Sequence, residues 1–411
     1  MQAMQTKRIY LDNAATTPLC DAAAKAMAPY MESGTQAPFG NANSLHSIGR
    51  EAFSALEDAR ARVARALKAH RPDEIVFTGG ATESDNSAIV GMALGAREKA
   101  RLAGKHGPFK VVTSRIEHEA VLETSHMLRA LGFEFELVDN DGLGRVTPEA
   151  LKRIVDENTL VVSVMAANNE VGTIQPIAAL SAVCRKHGAP FHTDAVQAYG
   201  HIPLDVSALG VDALSVSAHK FHGPKGVGFL YCRKGLATEP LISGGAQERG
   251  YRAGTENLAG IVGMEAAARL AFGGNAADSS CEELAFSMAQ ARVHVASLRN
   301  YMARFIENEI PDIRINGSGT QHLPGILSVS FQGVSGEALL GLLDQQGVCA
   351  SAGSACASGS LEPSHVLTAM GIPAEWAQGT IRFSFSAFTE QREVERACQV
   401  LRDAVHHLRN V

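Results

Sequence analysis

Short runs of consecutive apolar residues alternate with longer amphipathic stretches between about positions 73 and 231. Runs that stay apolar at successive positions, such as 159–165, are typical of strands that helices cover on both faces. We predict strands in this region at 74–78, 110–114, 133–138, 160–165, 190–193, 213–216 and 226–231. The pattern indicates an α/β fold with a mostly parallel, buried central sheet.

The pattern changes after about position 260, where long helical periodicity and separated strands replace the regular alternation. Predicted here are one long helix, two strands and a final helix, at 282–310, 326–331, 380–385 and from Glu390 onward. This order is typical of a smaller α+β domain. Because 411 residues exceed one ordinary hydrophobic core, we predict a large domain at 20–265 and a small domain at 1–19 and 266–411.

Composition and charge narrow the classes of protein. Hydrophobic residues make up 45% of the chain and charged residues 19%, yet no apolar run is long enough to span a bilayer and no N-terminal secretion signal is present. A cytoplasmic location is expected. The net charge of -6 offers no general attraction for nucleic acid or anionic lipid, so neither a direct nucleic-acid partner nor a membrane is expected.

The cysteines and histidines argue against a disulfide framework and against a metal site. Seven cysteines are an odd number, scattered along a chain without a secretion signal, so most are expected to be free thiols. No C-x-x-C pair and no H-E-x-x-H motif occurs. We therefore expect no bound metal.

Polar residues follow directly after the predicted strands. Ligands of open α/β sheets collect at the carboxyl ends of the strands, so these residues are the candidates for chemistry. They are found at 78–83, 117–118, 168–170, 192–194 and 217–220. We expect them to form one site.

The segment Gly79-Gly80-Ala81-Thr82 closes a strand and opens a helix. Free backbone N–H groups and a hydroxyl at a helix N-terminus bind phosphate well. Taken alone, the glycine pair is explained more simply by a tight strand-to-helix turn. The chain has no G-x-x-x-x-G-K-[ST] motif, so nucleoside triphosphate binding is not indicated.

Asp194 and Lys220 stand at two successive strand ends. A carboxylate buried there needs a cationic partner, which a pyridinium nitrogen would supply, although an Asp also caps helices. A desolvated lysine loses its charge readily and can form a Schiff base. An Asp followed one crossover later by Ser-x-His-Lys would place a pyridinium partner, phosphate ligands and a Schiff-base lysine around one ring of pyridoxal 5'-phosphate (PLP).

Two further residues have open interpretations. His118 could stack on a cofactor ring and move protons near neutral pH, or it could cap a helix. Arg382 is a charge within the apolar run 380–384 and needs an anionic partner. Either a substrate carboxylate or a protein carboxylate would meet that need.

Cys356 lies in a run of Ser, Ala and Gly at 351–360. Such residues have little means to pack a core and favour an exposed loop, where a thiol is accessible as a nucleophile. Cys349, in an apolar stretch, fits an inert buried role.

Taken together, these residues resemble the cysteine desulfurases of the NifS and IscS type, within the class V aminotransferase group of fold-type I PLP enzymes. The matching stretches lie at 10–18, 40–41, 80–86, 117–118, 168–170, 217–220, 248–255 and 351–386. They cover nearly the whole chain. The Gly-Ser-Ala-Cys sequence at 353–356 is similar to the group I desulfurases.

For the cofactor, the resemblance implies Lys220 as the Schiff-base lysine, Asp194 at the pyridinium nitrogen, Gln197 at the ring hydroxyl and His118 stacked on the ring. The implied phosphate ligands are Ala81, Thr82, Ser217 and His219, with Thr255 supplied by the partner subunit of a homodimer.

For the substrate, the resemblance implies that Asn41 and Arg382 hold the carboxylate of L-cysteine, beside Asn169, which also contacts the cofactor. Cys356 would take the sulfur as a persulfide and leave L-alanine. An iron-sulfur scaffold, a nitrogenase-type scaffold or a tRNA-thiolation relay would accept the sulfur next.

Two rival classes remain open. A PLP aminotransferase or a selenocysteine lyase would share the fold, and Cys356 argues against the aminotransferase. A non-catalytic sulfur carrier would keep the fold alone, and the presence of Asp194, His118, Lys220 and Arg382 argues against it.

Overall fold

A seven-stranded sheet forms the centre of the computed structural model, which describes residues 8–34, 37–272, 288–352 and 363–410. Its strands are β2 (Ile75–Thr78), β3 (Lys110–Ser114), β4 (Glu134–Val138), β5 (Thr159–Ser163), β6 (Phe191–Asp194), β7 (Ala213–Ser217) and β8 (Gly228–Cys232), after a short β1 (Ile9–Tyr10). The strand order is β2-β8-β7-β6-β5-β3-β4, and β8 runs antiparallel to both of its neighbours. The predicted mostly parallel sheet is confirmed.

The strands match the apolar runs of the sequence. Each of the seven predicted strands is present, with ends shifted by no more than two residues. All residues of β2, β3, β5, β6, β7 and β8 are buried, whereas β4 at the edge is partly exposed. Burial on both faces explains why these runs are apolar at successive positions rather than at alternate ones.

A second, smaller sheet is antiparallel. It contains β9 (Ile313–Asn316), β10 (Ile326–Phe331) and β12 (Thr380–Ser384) in the order β12-β10-β9. The remaining described strand, β11 (Val348–Cys349), pairs in parallel with β1. These two strands form a separate two-stranded sheet. An isolated bridge between Asp12 and Ser384 of β12 joins the beginning of the chain to the small sheet.

Helices cover both sheets. The described helices are α1 (Asp21–Met31), α2 (Ser47–Ala66), α3 (Ala81–Leu102), α4 (Glu119–Leu122), α5 (Thr124–Ala130), α6 (Pro148–Lys152), α7 (Ile177–His187), α8 (Val206–Leu209), α9 (Leu258–Ala271), α10 (Met288–Glu309), α11 (Gly336–Gln345), α12 (His365–Ala369), α13 (Ala374–Ala377) and α14 (Gln391–Arg409). Single 3₁₀ turns lie at Pro72–Glu74, Ala218–Lys220 and Gln247–Gly250.

The last helix shows how local sequence sets these elements. In α14 the side chains of Glu390 and Glu393 form a capping box at the N-terminus. Its buried stripe, Val394, Ala397, Cys398, Leu401 and Val405, repeats at helical spacing and packs on the small sheet. The predicted final helix is present.

The hydrophobic interior has separate cores on the two sheets. Ile9 and Leu11 pack in the core of the small sheet. The division at residue 265 stays a prediction, since α9 continues across it to Ala271 and buries Ala267 and Ala268 in the large-sheet core. No helix within the described ranges is long and apolar enough to cross a membrane.

Candidate active site

Lys220 lies at the carboxyl edge of the large sheet, in the 3₁₀ turn that follows β7. Its Nζ donates hydrogen bonds to the carbonyl oxygens of Ala14 and Ala15, each at 2.8 Å. Gln197, after β6, donates from Nε2 to the same Ala14 oxygen at 2.9 Å. The N-terminal segment therefore brings Lys220 and Gln197 together at one carbonyl group.

Asp194 is the last residue of β6 and is only 6% exposed. Burial raises the pKa of this carboxyl above its ordinary value, while the Val196 N–H and the charges of His118 and Lys220 act in the opposite direction. Its Oδ1 accepts from the Val196 N–H at 2.8 Å. Residues 196–200 form a turn and not a helix, so the helix-capping role that the sequence left open for Asp194 is wrong. A cation placed beside it would favour the carboxylate form.

Beneath Asp194 lies a buried row of polar side chains. His192 Nδ1 is 2.8 Å from Ser163 Oγ, and its Nε2 is 2.9 Å from Ser215 Oγ. Burial lowers the pKa of His192 to about 3, so this ring is neutral at physiological pH. Asp85 Oδ1 is 3.7 Å from His192 Nε2 and has no hydrogen-bond partner among the described residues.

Sequence reasoning missed Asp85. Burial, together with the nearby Asp194, raises its pKa well above the ordinary value. A signal was present, because Asp85 shares one helical stripe of α3 with the buried Ala88, Ile89 and Met92. A carboxylate within such a stripe is rare unless it has a structural or chemical role.

A cup of about 550 Å³ lies at the N-terminus of α3. Its lining includes the four residues of this chain predicted as phosphate ligands, Ala81, Thr82, Ser217 and His219. Gly80 has φ +149°, and a Cβ on Gly228 would come within 2.4 Å of the Val216 carbonyl oxygen. The glycines thus permit both the tight turn and the close approach of strand and helix that form the cup.

The imidazole ring of His219 lines this cup. Its Nδ1 is 3.1 Å from Thr16 Oγ1. Burial, and then the charges of Lys220 and Lys225, lower the pKa of His219 to about 4. The imidazole is therefore neutral at pH 7 and contributes one N–H donor rather than a full charge.

His118 stands at the start of α4 and is half-buried. Its Nδ1 accepts from the Ala120 N–H at 3.0 Å, so the capping role is present. This bond orients the ring and leaves Nε2 for other contacts. The preceding Glu117 is buried, which raises the pKa of its carboxyl to about 8, although Ser114 and the Met165 N–H donate to it.

Arg382 in β12 is 2% exposed. Its Nη1 donates to the Asn169 carbonyl oxygen and its Nη2 to Asp12 Oδ1, both at 2.9 Å, while Nε has no partner among the described residues. A protein carboxylate therefore meets the charge of this arginine in the present structure. Sequence reasoning missed Asp12 because 370 positions separate it from Arg382.

Of three further predicted site residues, two lie apart from this cluster and the third lies outside the described residues. Asn41 is exposed, and its Oδ1 accepts from the Asn43 N–H at 2.9 Å. Thr255 is also exposed, and the neighbouring Glu256 accepts from Asn43 at 3.3 Å. Cys356 lies outside the described residues.

The donor set fits PLP. A buried carboxylate, a lysine amine and a helix N-terminus with hydroxyl groups surround the same sheet edge, and they match a pyridinium nitrogen, an aldehyde and a phosphate. The fold and this set of groups define the class as that of fold-type I PLP enzymes.

Comparison with known proteins agrees with this assignment to the PLP enzymes. The class-V aminotransferase family matches residues 9–397. The chain is 45% identical over 405 residues to the cysteine desulfurase IscS of Dictyoglomus turgidum, with 98% of this chain and 96% of that protein covered. It is 44% identical over 409 residues to the cysteine desulfurase IscS of Methanosarcina thermophila, with 99% and 94% covered. A solved NifS-like protein superposes with a TM-score of 0.84 at 38% identity, over 97% of this chain and 100% of that chain.

The chain therefore belongs to the class-V aminotransferase family. Its activity is that of a PLP-dependent cysteine desulfurase, with L-cysteine as the substrate. The predictions of family, fold class, cofactor and activity are confirmed.

Proposed function

We propose that Lys220 carries PLP at the edge of the large sheet, that Asp194 faces its pyridinium nitrogen, and that Cys356 receives the sulfur of L-cysteine. The observation that carries this proposal is the convergence of Lys220 and Gln197 on the Ala14 carbonyl, next to the buried Asp194. Those groups come from two strand ends and from the N-terminal segment.

The cofactor, when bound, withdraws electrons from bonds at the substrate carbon that carries the amino group. Asp194 would hold the pyridinium proton that this requires, and Gln197 would donate to the ring hydroxyl oxygen. His118 would stack on the ring beside Asn169. Ala81, Thr82, Ser217 and His219 would bind the phosphate with neutral donors and the positive end of α3.

Substrate recognition would involve Arg382, Asn41 and Asn169. A planar guanidinium binds a carboxylate with two parallel hydrogen bonds. Because Asp12 accepts from Nη2 in the present structure, the substrate carboxylate would replace Asp12 or share the guanidinium with it. The Nε of Arg382, which has no partner within the described part of the chain, offers one donor for this purpose.

The sulfur balance of the reaction is simple. L-Cysteine and the Cys356 thiol give L-alanine and a persulfide on Cys356: the carbon–sulfur bond of the substrate breaks, one sulfur–sulfur bond forms, and a proton replaces sulfur on carbon. No external oxidant is needed. The sulfur would pass on to an iron-sulfur scaffold protein or to another sulfur-relay acceptor.

A homodimer is part of the proposal. Leu45, Phe39 and Phe53 are 91%, 60% and 53% exposed, which is unusual for large apolar side chains that lie close in sequence. The contact between Asn43 and Glu256 brings this surface next to Thr255. A second copy that covers the patch would receive Thr255 at its own phosphate cup.

The decisive experiment measures products with the PLP-loaded protein. Incubation with L-cysteine should give alanine and, in the first turnover, one persulfide for each Cys356. Amino-group exchange with an α-keto acid in place of alanine formation would contradict the assigned roles. Light scattering in the same buffer should give twice the mass of one chain, and a monomer would refute the shared site.

A further inference from the structure

The segment 247–255, here called the strap, crosses the large domain beside the phosphate cup. Glu248 and Arg249 have φ of +47° and +58°, a conformation that residues other than glycine rarely adopt. Two such residues in succession are retained only where surrounding contacts determine the backbone.

A buried ion pair provides those contacts. Glu248 accepts from Arg60 Nη1 at 2.6 Å and from Nη2 at 2.9 Å, and the two residues are 5% and 1% exposed. The same carboxylate accepts from the Phe77 N–H at 3.0 Å, and the Arg60 guanidinium lies 4.6 Å from the centre of the Phe77 ring. The strap is thereby attached to β2, the strand that leads into Gly79 and the cup.

A second ion pair joins the strap to the cup itself. Arg252 donates from Nε to Glu83 Oε1 at 2.8 Å and from Nη2 to Oε2 at 3.3 Å. Glu83 also accepts from the Gly79 N–H at 2.9 Å and belongs to the lining of the cup. A carboxylate thus stands in the first turn of α3, where an incoming phosphate needs positive potential.

The Glu83 carboxylate has two opposing effects on the phosphate cup. It orders the glycine turn through the Gly79 N–H, yet its charge would repel a phosphate dianion in the same cup. Arg252 places a guanidinium directly against it, at a site where both side chains are mostly buried, with 24% and 19% of their surfaces exposed. The repulsion is therefore offset while the hydrogen bond to Gly79 is kept.

We infer that Arg252 is a positioning residue of the cofactor site, which makes the cup usable for phosphate by neutralising Glu83. The inference rests on the proposed function, since it takes the cup to hold the phosphate of PLP. Arg252 acts through Glu83 and does not itself contact the phosphate.

The test compares PLP with pyridoxal, which lacks the phosphate. Apo protein is titrated with each compound, and binding is followed by quenching of intrinsic fluorescence. Arg252→Gln should weaken PLP binding by about tenfold, because the Glu83 charge would then face the phosphate without its counter-charge, and should leave pyridoxal binding unchanged. Glu83→Gln, which keeps an acceptor for Gly79, should bind PLP as well as the parent protein or better.

The double variant Glu83→Gln with Arg252→Gln separates charge from structure. If Arg252 works by neutralising Glu83, the double variant should regain PLP binding to within about twofold of the parent protein. PLP binding as weak as that of Arg252→Gln alone, or an equal loss for pyridoxal, would overturn the inference. Should Arg252→Gln fail to fold, Glu83→Gln decides, since weaker PLP binding by that variant also overturns it.

Two controls complete the design. Arg249→Gln removes another strap arginine, which pairs with Glu57 away from the cup, and should change neither affinity. Ser217→Ala removes a proposed phosphate ligand and should weaken PLP binding selectively. If Ser217→Ala has no selective effect, the proposed phosphate site is wrong; if it has one and Arg252→Gln has none, only the present inference fails.

Discussion

The two halves of the active site are built in different ways. The proposed cofactor half, with Asp194, Ser217 and Lys220, uses strand ends of a single sheet. The proposed substrate half depends on Arg382 in the small sheet, whose guanidinium donates to Asp12 and to the Asn169 carbonyl from distant parts of the chain.

This difference in construction affects how firmly each half is held in place. A single packed sheet holds its strand ends in place whether or not a substrate is bound, so the cofactor half is preorganised. The proposed substrate half is held by an ion pair between Arg382 and Asp12, which the substrate carboxylate would have to replace or share. Variants in the cofactor half should therefore affect catalysis as a whole, and variants in the substrate half should affect mainly the affinity for cysteine.

The largest effect is expected for Lys220→Ala, which should abolish covalent attachment of PLP because the amine that forms the bond is removed. Borohydride reduction traps the bond, and peptide mapping locates it. Lys225→Ala is a matched control, since that exposed lysine lines the same cup. Trapped cofactor on a lysine other than Lys220 would contradict the assignment.

Cys356→Ser should bind PLP normally and still lower alanine production to background, because serine cannot accept sulfur as a thiolate does. Mass spectrometry after incubation with cysteine should find no added sulfur on the protein. A sulfur adduct with normal alanine release would transfer the role to another thiol.

Asp194→Asn should retain PLP through the phosphate contacts and lose activity by roughly 100-fold, since an amide cannot hold the pyridinium proton electrostatically. Turnover with cysteine and cofactor content are the two measurements. Asp205→Asn, at a carboxylate that caps α8, is the control and should stay near the parent rate. Near-normal turnover by Asp194→Asn would show that Asp194 does not hold the pyridinium nitrogen as proposed.

Arg382→Lys should raise KM for cysteine by about tenfold with a smaller change in kcat, because a lysine cannot form the planar pair of hydrogen bonds. Asp12→Asn sharpens the comparison: it removes the competing carboxylate and should leave KM equal or lower. An unchanged KM in Arg382→Lys would mean that Asp12 is the arginine's permanent partner.

The smallest effect is expected for Cys349→Ser. The sequence predicts a buried, inert cysteine; the structure has it half-buried beside Tyr10, with burial raising the pKa of its thiol. A thiol with a raised pKa is a poor nucleophile at pH 7. Persulfide formation should stay within about twofold of the parent protein, and a large loss would indicate a second working thiol.

The local pattern of apolar and polar residues was sufficient to predict where much of the candidate site lies. The positions of Asp194, Ser217 and Lys220 at one edge of the sheet could be predicted because the apolar runs mark the strands, and the carboxyl ends of parallel strands meet at one edge. Their roles toward the cofactor stay proposals. The family resemblance assigned roles to Gln197, Asn41 and Thr255, and those roles remain proposals. Asp85 could also have been found from the sequence, because it is a charged residue within an apolar stripe of α3.

By itself the sequence determined the seven-stranded α/β core, the family and the chemistry, because buried strands need continuous apolar runs and because PLP needs a lysine, an acid and a phosphate cup. Only the tertiary structure decided which groups face one another: Asp12 against Arg382, Glu248 against Arg60, and the Ala14 carbonyl against both Lys220 and Gln197. These partners lie up to 370 residues apart. Their encounter depends on how the sheets and the N-terminal segment pack, which no local spacing encodes.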